Sequence, residues 1–216
     1  MRDYTKIDWD QPVPTYDALR VSYAQSSIRV RPLDRRLQRI IDLFHEERTS
    51  ARMAAAQFDL DLDDAYRFFL QRNRLNETGF FYDLFRGLAF LEAIPDVGAM
   101  RWSPLTLNNT YEGRVIGQAQ GLKLVSGWDA FAVLANWLRI GGLFIEPDQK
   151  LNDRQTLRLT RGVAGAAFSG EMSAGSCYSG HAPWSDWFDA ESFDTTLVFI
   201  DHLTGVATVL MLTDSP

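Results

Sequence analysis

The side chains able to do covalent or metal chemistry are few and gather late in the chain. Cys177 and His181 stand four apart in Gly175-Ser-Cys-Tyr-Ser-Gly-His181, with Asp186 and Asp189 shortly after. A histidine beside a thiol can lower its pKa and make it a nucleophile. The same cysteine equally suits a small side chain packed in a turn-rich loop. His181 and His202 with Asp186 or Asp189 are of the type that binds metal. No HExxH or CxxC spacing accompanies them, so neither a metal nor another cofactor is expected. Trp184, Trp187 and Phe188 lie among polar residues, where aromatics either line a ligand cleft or pack across a sheet edge. His202 reads as a turn residue, and His45 as a helix-end residue suited to the C-terminal dipole. The chain has no GxSxG elbow, no GxxxxGK[ST] loop and no GxGxxG turn. The α/β-hydrolase, P-loop and dinucleotide-binding readings therefore gain no support.

The elements that must position these groups follow from periodicity. Thr196–Leu212 reads as two strands joined by Asp201-His-Leu-Thr-Gly205, with Gly205 free to take positive φ. Its arms are apolar on both faces, as in central strands of a sheet covered on both sides. Leu33, Leu37, Ile40, Ile41 and Phe44 form one helical stripe after Pro32. A second helix is expected over Ala51–Gln57, capped by Thr49 or Ser50, and a third from Asp61 to about Asn73. Tyr82–Ala93, Trp128–Arg139 and Asn152–Arg161 also read as helices, and Ser27–Arg31 as a short strand. Residues 1–19 read as an extended lead-in. Asp96–Gly121 and Gly162–Asp194 read as loops with short strands or strand edges.

Bulk properties narrow the class. The 216 residues are 46% hydrophobic and can bury a substantial core. Net charge is −6, which disfavours indiscriminate binding to nucleic acid or anionic membranes. Arg20–Arg74 nevertheless carries 11 basic and 8 acidic residues. With Cys177 alone, no intrachain disulfide can form. The first ten residues contain no apolar signal core, and no apolar run reaches the ~18 residues of a membrane span. A soluble cytoplasmic protein is expected.

Several segments, taken in order, resemble the serine β-lactamase and penicillin-binding-protein-like hydrolases. Lys6-Ile-Asp-Trp-Asp-Gln-Pro-Val13 resembles the family's KLDLDDPV connection, and Leu75-Asn-Glu-Thr-Gly-Phe80 its GMKDTGF loop. Ile28-Arg-Val-Arg31 resembles the ITIRHLL lead into a helix. Gly121-Leu-Lys-Leu-Val-Ser126, Asp129 and Leu138-Arg-Ile-Gly-Gly142 are similar to GGLFSTAEDLARFAQMLLNGG, one residue shorter between Ser126 and Asp129. Phe199–Thr213 resembles the closing WIDPETGVAVVVLTN hairpin.

That family acylates a serine whose proton is taken with help from a lysine in Ser-x-x-Lys. Here the positions three before Lys6, Lys123 and Lys150 hold Asp3, Gln120 and Pro147. Ser26 to Arg29 has the spacing, but arginine cannot be deprotonated to act as base. The Tyr-x-Asn motif is missing, and the third motif would fall at His181-Ala-Pro183, keeping only the imidazole. The resemblance therefore implies a shortened relative, catalytically impaired or non-catalytic. In it His181 is the remaining candidate catalytic group, and Ser179 and Trp184 are candidate substrate contacts for a small molecule or peptide. It also implies an exposed sheet edge through which a homodimer can form.

The fold expected is α+β, a helical region over residues 1–74 packed on an antiparallel β-sheet region over 75–216, with one continuous domain as the alternative. A rival reading makes Leu33–Asn73 a helix-turn-helix DNA-binding unit with an acidic C-terminal sensing domain. Against it, the recognition helix would open on Asp61-Leu-Asp-Asp64, pressing carboxylates on phosphates.

Overall fold

The computed structural model describes residues 3–47, 51–98, 108–112, 114–117, 121–140, 151–181, 183–188 and 194–214. The order of elements is α1 (Tyr16–Gln25), β1 (Ser27–Arg31), α2 (Arg35–Glu47), β2 (Ala51–Asp61), α3 (Asp64–Gln71), α4 (Phe80–Arg86), α5 (Leu88–Ala93) and α6 (Pro95–Gly98). It continues with β3 (Asn108–Tyr111), β4 (Arg114–Gly117), β5 (Lys123–Val125), α7 (Gly127–Ile140), α8 (Asp153–Ala167), β6 (Gly175–Gly180), β7 (Thr195–Asp201) and β8 (Val206–Asp214). The fold is α+β. Six strands form an antiparallel sheet of order β1-β2-β8-β7-β6-β5, and β3 and β4 pair separately. No described helix is long and apolar enough to cross a membrane.

The terminal hairpin, β7 with β8, occupies the middle of the sheet, and Gly205 in its turn takes φ 67°. Alternation along these strands sends side chains to two separate cores. On one face Val198, Ile200, Ala207, Val209 and Met211 meet aromatic residues of α3, α4 and α5. On the other, Leu197, Phe199, Leu210 and Leu212 meet α2, α7 and α8. The doubly apolar arms are thus explained by cover on both sides.

One stretch departs from its local preference. Arg52-Met-Ala-Ala-Ala-Gln57 has good helix formers but lies within β2, paired to β1 on one side and β8 on the other. Intrinsic propensity is a weak prior, and small side chains suit a strand with helices packed on both its faces. The helix expected at Ala51–Gln57 is therefore absent, and with it the helix-turn-helix arrangement on which the DNA-binding reading stood. Because β1 and β2 join the same sheet as β5 to β8, the sheet draws strands from both sides of Arg74.

Other boundaries shift for local reasons. α2 begins three residues after Pro32, because Asp34 is its cap: the carboxylate accepts from Arg36 N at 2.8 Å. α3 starts after Asp63, whose Oδ1 accepts from Ala65 N and Tyr66 N. Part of the lead-in, Tyr16–Gln25, is helical, capped by Thr15. Asn152 and Gln155 form a reciprocal capping box, and α8 runs six residues beyond Arg161. Gly175–Gly180, expected as loop and strand edge, is an internal strand. The two outermost strands are β1, carrying Arg29 and Arg31, and the three-residue β5, carrying Lys123; charge and shortness both blunt a sheet edge.

Candidate functional site

The sequence-predicted residues converge only in part. Ser179 and His181 both lie at the far end of β6, on the face covered by α7. His181 Nδ1 is 3.1 Å from Thr195 Oγ1, which also accepts from Trp137 Nε1 at 3.1 Å. Ser179 is buried, its hydroxyl without a hydrogen-bond partner among the described residues. Directly opposite it on β5 stands Lys123. That juxtaposition brings an amine and a hydroxyl to one sheet position, but no hydrogen bond joins them, and activation of the serine needs one.

Trp184 is separated from both residues. It lies on the opposite core, 4% exposed, stacked on Phe85 at 4.6 Å and 9°, its Nε1 donating to Thr196 Oγ1. It packs as a core residue and lines none of the grooves described below. Trp187 and Phe188 are buried with it. Cys177 is buried too, and burial pushes its thiol up to about 12, the reverse of activation. Four residues along an extended strand also place it roughly 13 Å from His181. His181 and His202 lie at opposite ends of β7, too far apart to share a metal; Asp189 lies outside the described residues.

Sequence spacing missed a buried polar cluster at the other end of the sheet. Ser176 Oγ donates to Asn73 Oδ1 at 2.6 Å and lies 2.6 Å from His202 Nε2. With the hydroxyl proton directed at Asn73, the imidazole Nε2–H donates to Ser176. Asn73 presents its amide from a left-handed conformation, φ 56°, just past α3. Burial lowers His202 to about 4 against a smaller raising effect of Asp201, so the imidazole is neutral near pH 7. Burial pushes the Asp201 carboxyl up, but hydrogen bonds from Ser169, Thr204 and Leu203 outweigh this and leave it below its ordinary value. The serine and histidine are 1% and 6% exposed, so the pair is closed to substrate and ties the hairpin turn to α3. Residues 73, 176 and 202 share no spacing signal.

Concave surface open to solvent is found on the outside of the long helices. Between α7 and α8 lies a groove of about 680 Å³ lined mainly by Phe131, Ala132, Ala135, Leu157 and Ala164, with Trp128 on its rim. Its charged neighbours Arg139 and Asp153 pair with each other at 3.1 Å. Between α2 and α8 lies a second groove of about 450 Å³, lined by Arg36, Arg39, Leu43, Leu151, Gln155, Arg158, Leu159 and Gly162. One wall uses positions 36, 39 and 43, the other 151, 155, 158, 159 and 162, each a single helical stripe. The helices approach closely beside Gly162, where an added Cβ would stand 3.9 Å from Arg36 Cβ. Arg36 is engaged bidentately by Asp34, at 2.9 and 2.7 Å, which holds that carboxyl down at about 2.

Comparison of the chain with protein-family models, with curated proteins and with solved structures returned no match.

Proposed function

We propose that the protein is a non-catalytic ligand-binding protein, on a scaffold akin to that of the penicillin-binding-protein-like hydrolases but without their acyl-transfer chemistry. The carrying observation is the state of the nucleophiles. Cys177 and Ser179 are buried under α7 and α8, neither hydrogen-bonded to a base, and Ser176 spends its proton on Asn73. Kinship with those hydrolases is supported by the closing hairpin at the centre of a sheet covered on both faces. The solvent-open grooves instead hold leucines, aromatics and arginines, groups that bind and orient without forming bonds.

The test is covalent labelling with a fluorescent penicillin and an alkyl fluorophosphonate, alongside turnover of a chromogenic ester. No label and no turnover are expected. Labelling of the wild type that Ser179→Ala abolishes would overturn the reading and make the opposed Lys123 and Ser179 a working pair.

A further inference from the structure

The groove between α2 and α8 combines apolar walls with cations that nothing among the described residues neutralises. Arg36 is satisfied by Asp34, but Arg39 and Arg158 make no ion pair or hydrogen bond among the described residues. No carboxylate among the described residues lines the groove. Gln155 adds a donor: its Oε1 accepts from Asn152 N at 3.0 Å in the capping box, leaving its amide N–H₂ to serve another partner. The polar groups free to meet a ligand are thus all donors, set among Leu43, Leu151 and Leu159.

The arginines are also poorly placed for helix stability. Beyond its cap Asp34, which is engaged with Arg36, the first turn of α2 has no acidic residue and begins Arg35-Arg36, cations at the positive end of the helix dipole. Arg35 with Arg39, and Arg154 with Arg158, are like charges four apart on one helix, an arrangement that opposes helix formation. α8 carries three arginines against Asp153 alone, and the three arginines of α2 lie in its first half with Asp42, Glu46 and Glu47 after them, so cations of both helices border a common groove in a chain whose overall charge is −6. An anion seated between them relieves both repulsions, and arginine's planar fork matches carboxylate and phosphate oxygens.

We propose that this groove binds a small amphiphilic anion, a carboxylate or phosphate head on an apolar body, with Arg39 and Arg158 on the head and Leu43, Leu151 and Leu159 along the body. A volume of about 450 Å³ suits a body of drug-like size and not a folded domain. This assignment rests on the reading of the chain as a binding protein and names the ligand class.

The experiment is isothermal titration of the full chain with decanoate, decyl phosphate, decanol and inorganic phosphate. Wild type, Arg39→Gln, Arg158→Gln and the double variant are compared, with Arg161→Gln, which faces the neighbouring groove, as control. The arginines are exposed, so the variants keep the fold, which circular dichroism checks. The two amphiphilic anions are expected to bind, at least tenfold more weakly in each single variant and undetectably in the double, and unchanged in the control. Decanol and inorganic phosphate are expected to bind at least tenfold more weakly than decyl phosphate to wild type. Equal binding of decanol, or anion binding indifferent to both arginines, would overturn the proposal. So would co-sedimentation with phosphatidylglycerol vesicles that the double variant abolishes, which would make this face a membrane contact. Labelling by the penicillin probe would defeat the non-catalytic reading and leave this titration unaffected, so the two failures are told apart.

Discussion

The two layers covering the sheet are built on different principles. One consists of short helices, α3 to α5, of six to eight residues, locked together by rings: Phe85 meets Trp184 at 4.6 Å and Phe90 at 5.1 Å, and Phe81 meets Tyr178 at 4.8 Å. Helices this short are not stable alone, so their order derives from the rings they bury. The other layer uses α2, α7 and α8, of 13 to 15 residues, whose inner stripes are mostly aliphatic. Long cylinders laid side by side touch along lines and leave grooves on the outside. The first layer is thus held by ring packing, while the second leaves grooves between its helices for a ligand. Size of helix, more than hydrophobicity, separates the two.

That contrast can be broken most directly in the aromatic layer. Phe85→Ala is expected to cost about 3–5 kcal/mol in urea unfolding, since Trp184, Phe81 and Phe90 all lose a ring partner. Leu159→Ala, partly buried beside the arginine groove, is expected to cost well under half as much. Equal losses would mean that the layers do not differ in the way described.

A pH series sharpens the comparison. His202 is held at about 4 in the folded chain, against an ordinary value near 6.5, chiefly by burial. Below pH 6.5 the unfolded chain therefore takes up a proton that the folded chain refuses. The contribution is complete above pH 6.5 and is lost as pH falls towards 4. At about 1.4 kcal/mol per pH unit this amounts to roughly 3 kcal/mol. His202→Asn should flatten that part of the stability profile, whereas Arg39→Gln should leave it unchanged, because arginine does not titrate there. A His202→Asn profile parallel to wild type would remove the buried imidazole from the account.

The smallest effect is expected at Gly165 on α8. A Cβ there would stand 2.7 Å from Arg36 Nη1, the far end of a flexible side chain. Gly165→Ala should gain up to ~1 kcal/mol of helix propensity and lose a partly exposed ion pair of similar size. Stability should stay within about 1 kcal/mol of wild type. The sharper readout is Asp34, whose carboxyl should rise from about 2 as Arg36 swings away, followed by NMR titration. An unmoved Asp34 would show that Arg36 keeps its place.

How much of this was legible varies with the range of the interaction. Leu37, Ile40 and Phe44 announce α2 because burial repeats with the helical period, and all three are buried. The hairpin was legible because two apolar faces demand cover on both sides. Arg52–Gln57 misled because its alanines favour helix locally, while β1 and β8 supply the ladder that decides otherwise. His181 and Ser179 were singled out by residue type, and Trp184 with them, but strand alternation and chain crossing put Trp184 in the other core. The Arg39 and Arg158 groove joins stripes more than a hundred residues apart, and neither stripe alone signals a site.

Sequence alone determined what depends on neighbours within a turn or a strand: the α2 stripe, the Gly205 turn, the lack of Ser-x-x-Lys, and the charge. Tertiary structure alone decided which faces meet. It made β2 a strand, sealed Ser176 against His202, and set two arginine-bearing helices side by side. The physical reason is that periodicity encodes that a residue is buried or exposed, whereas the partner it faces depends on how distant segments pack.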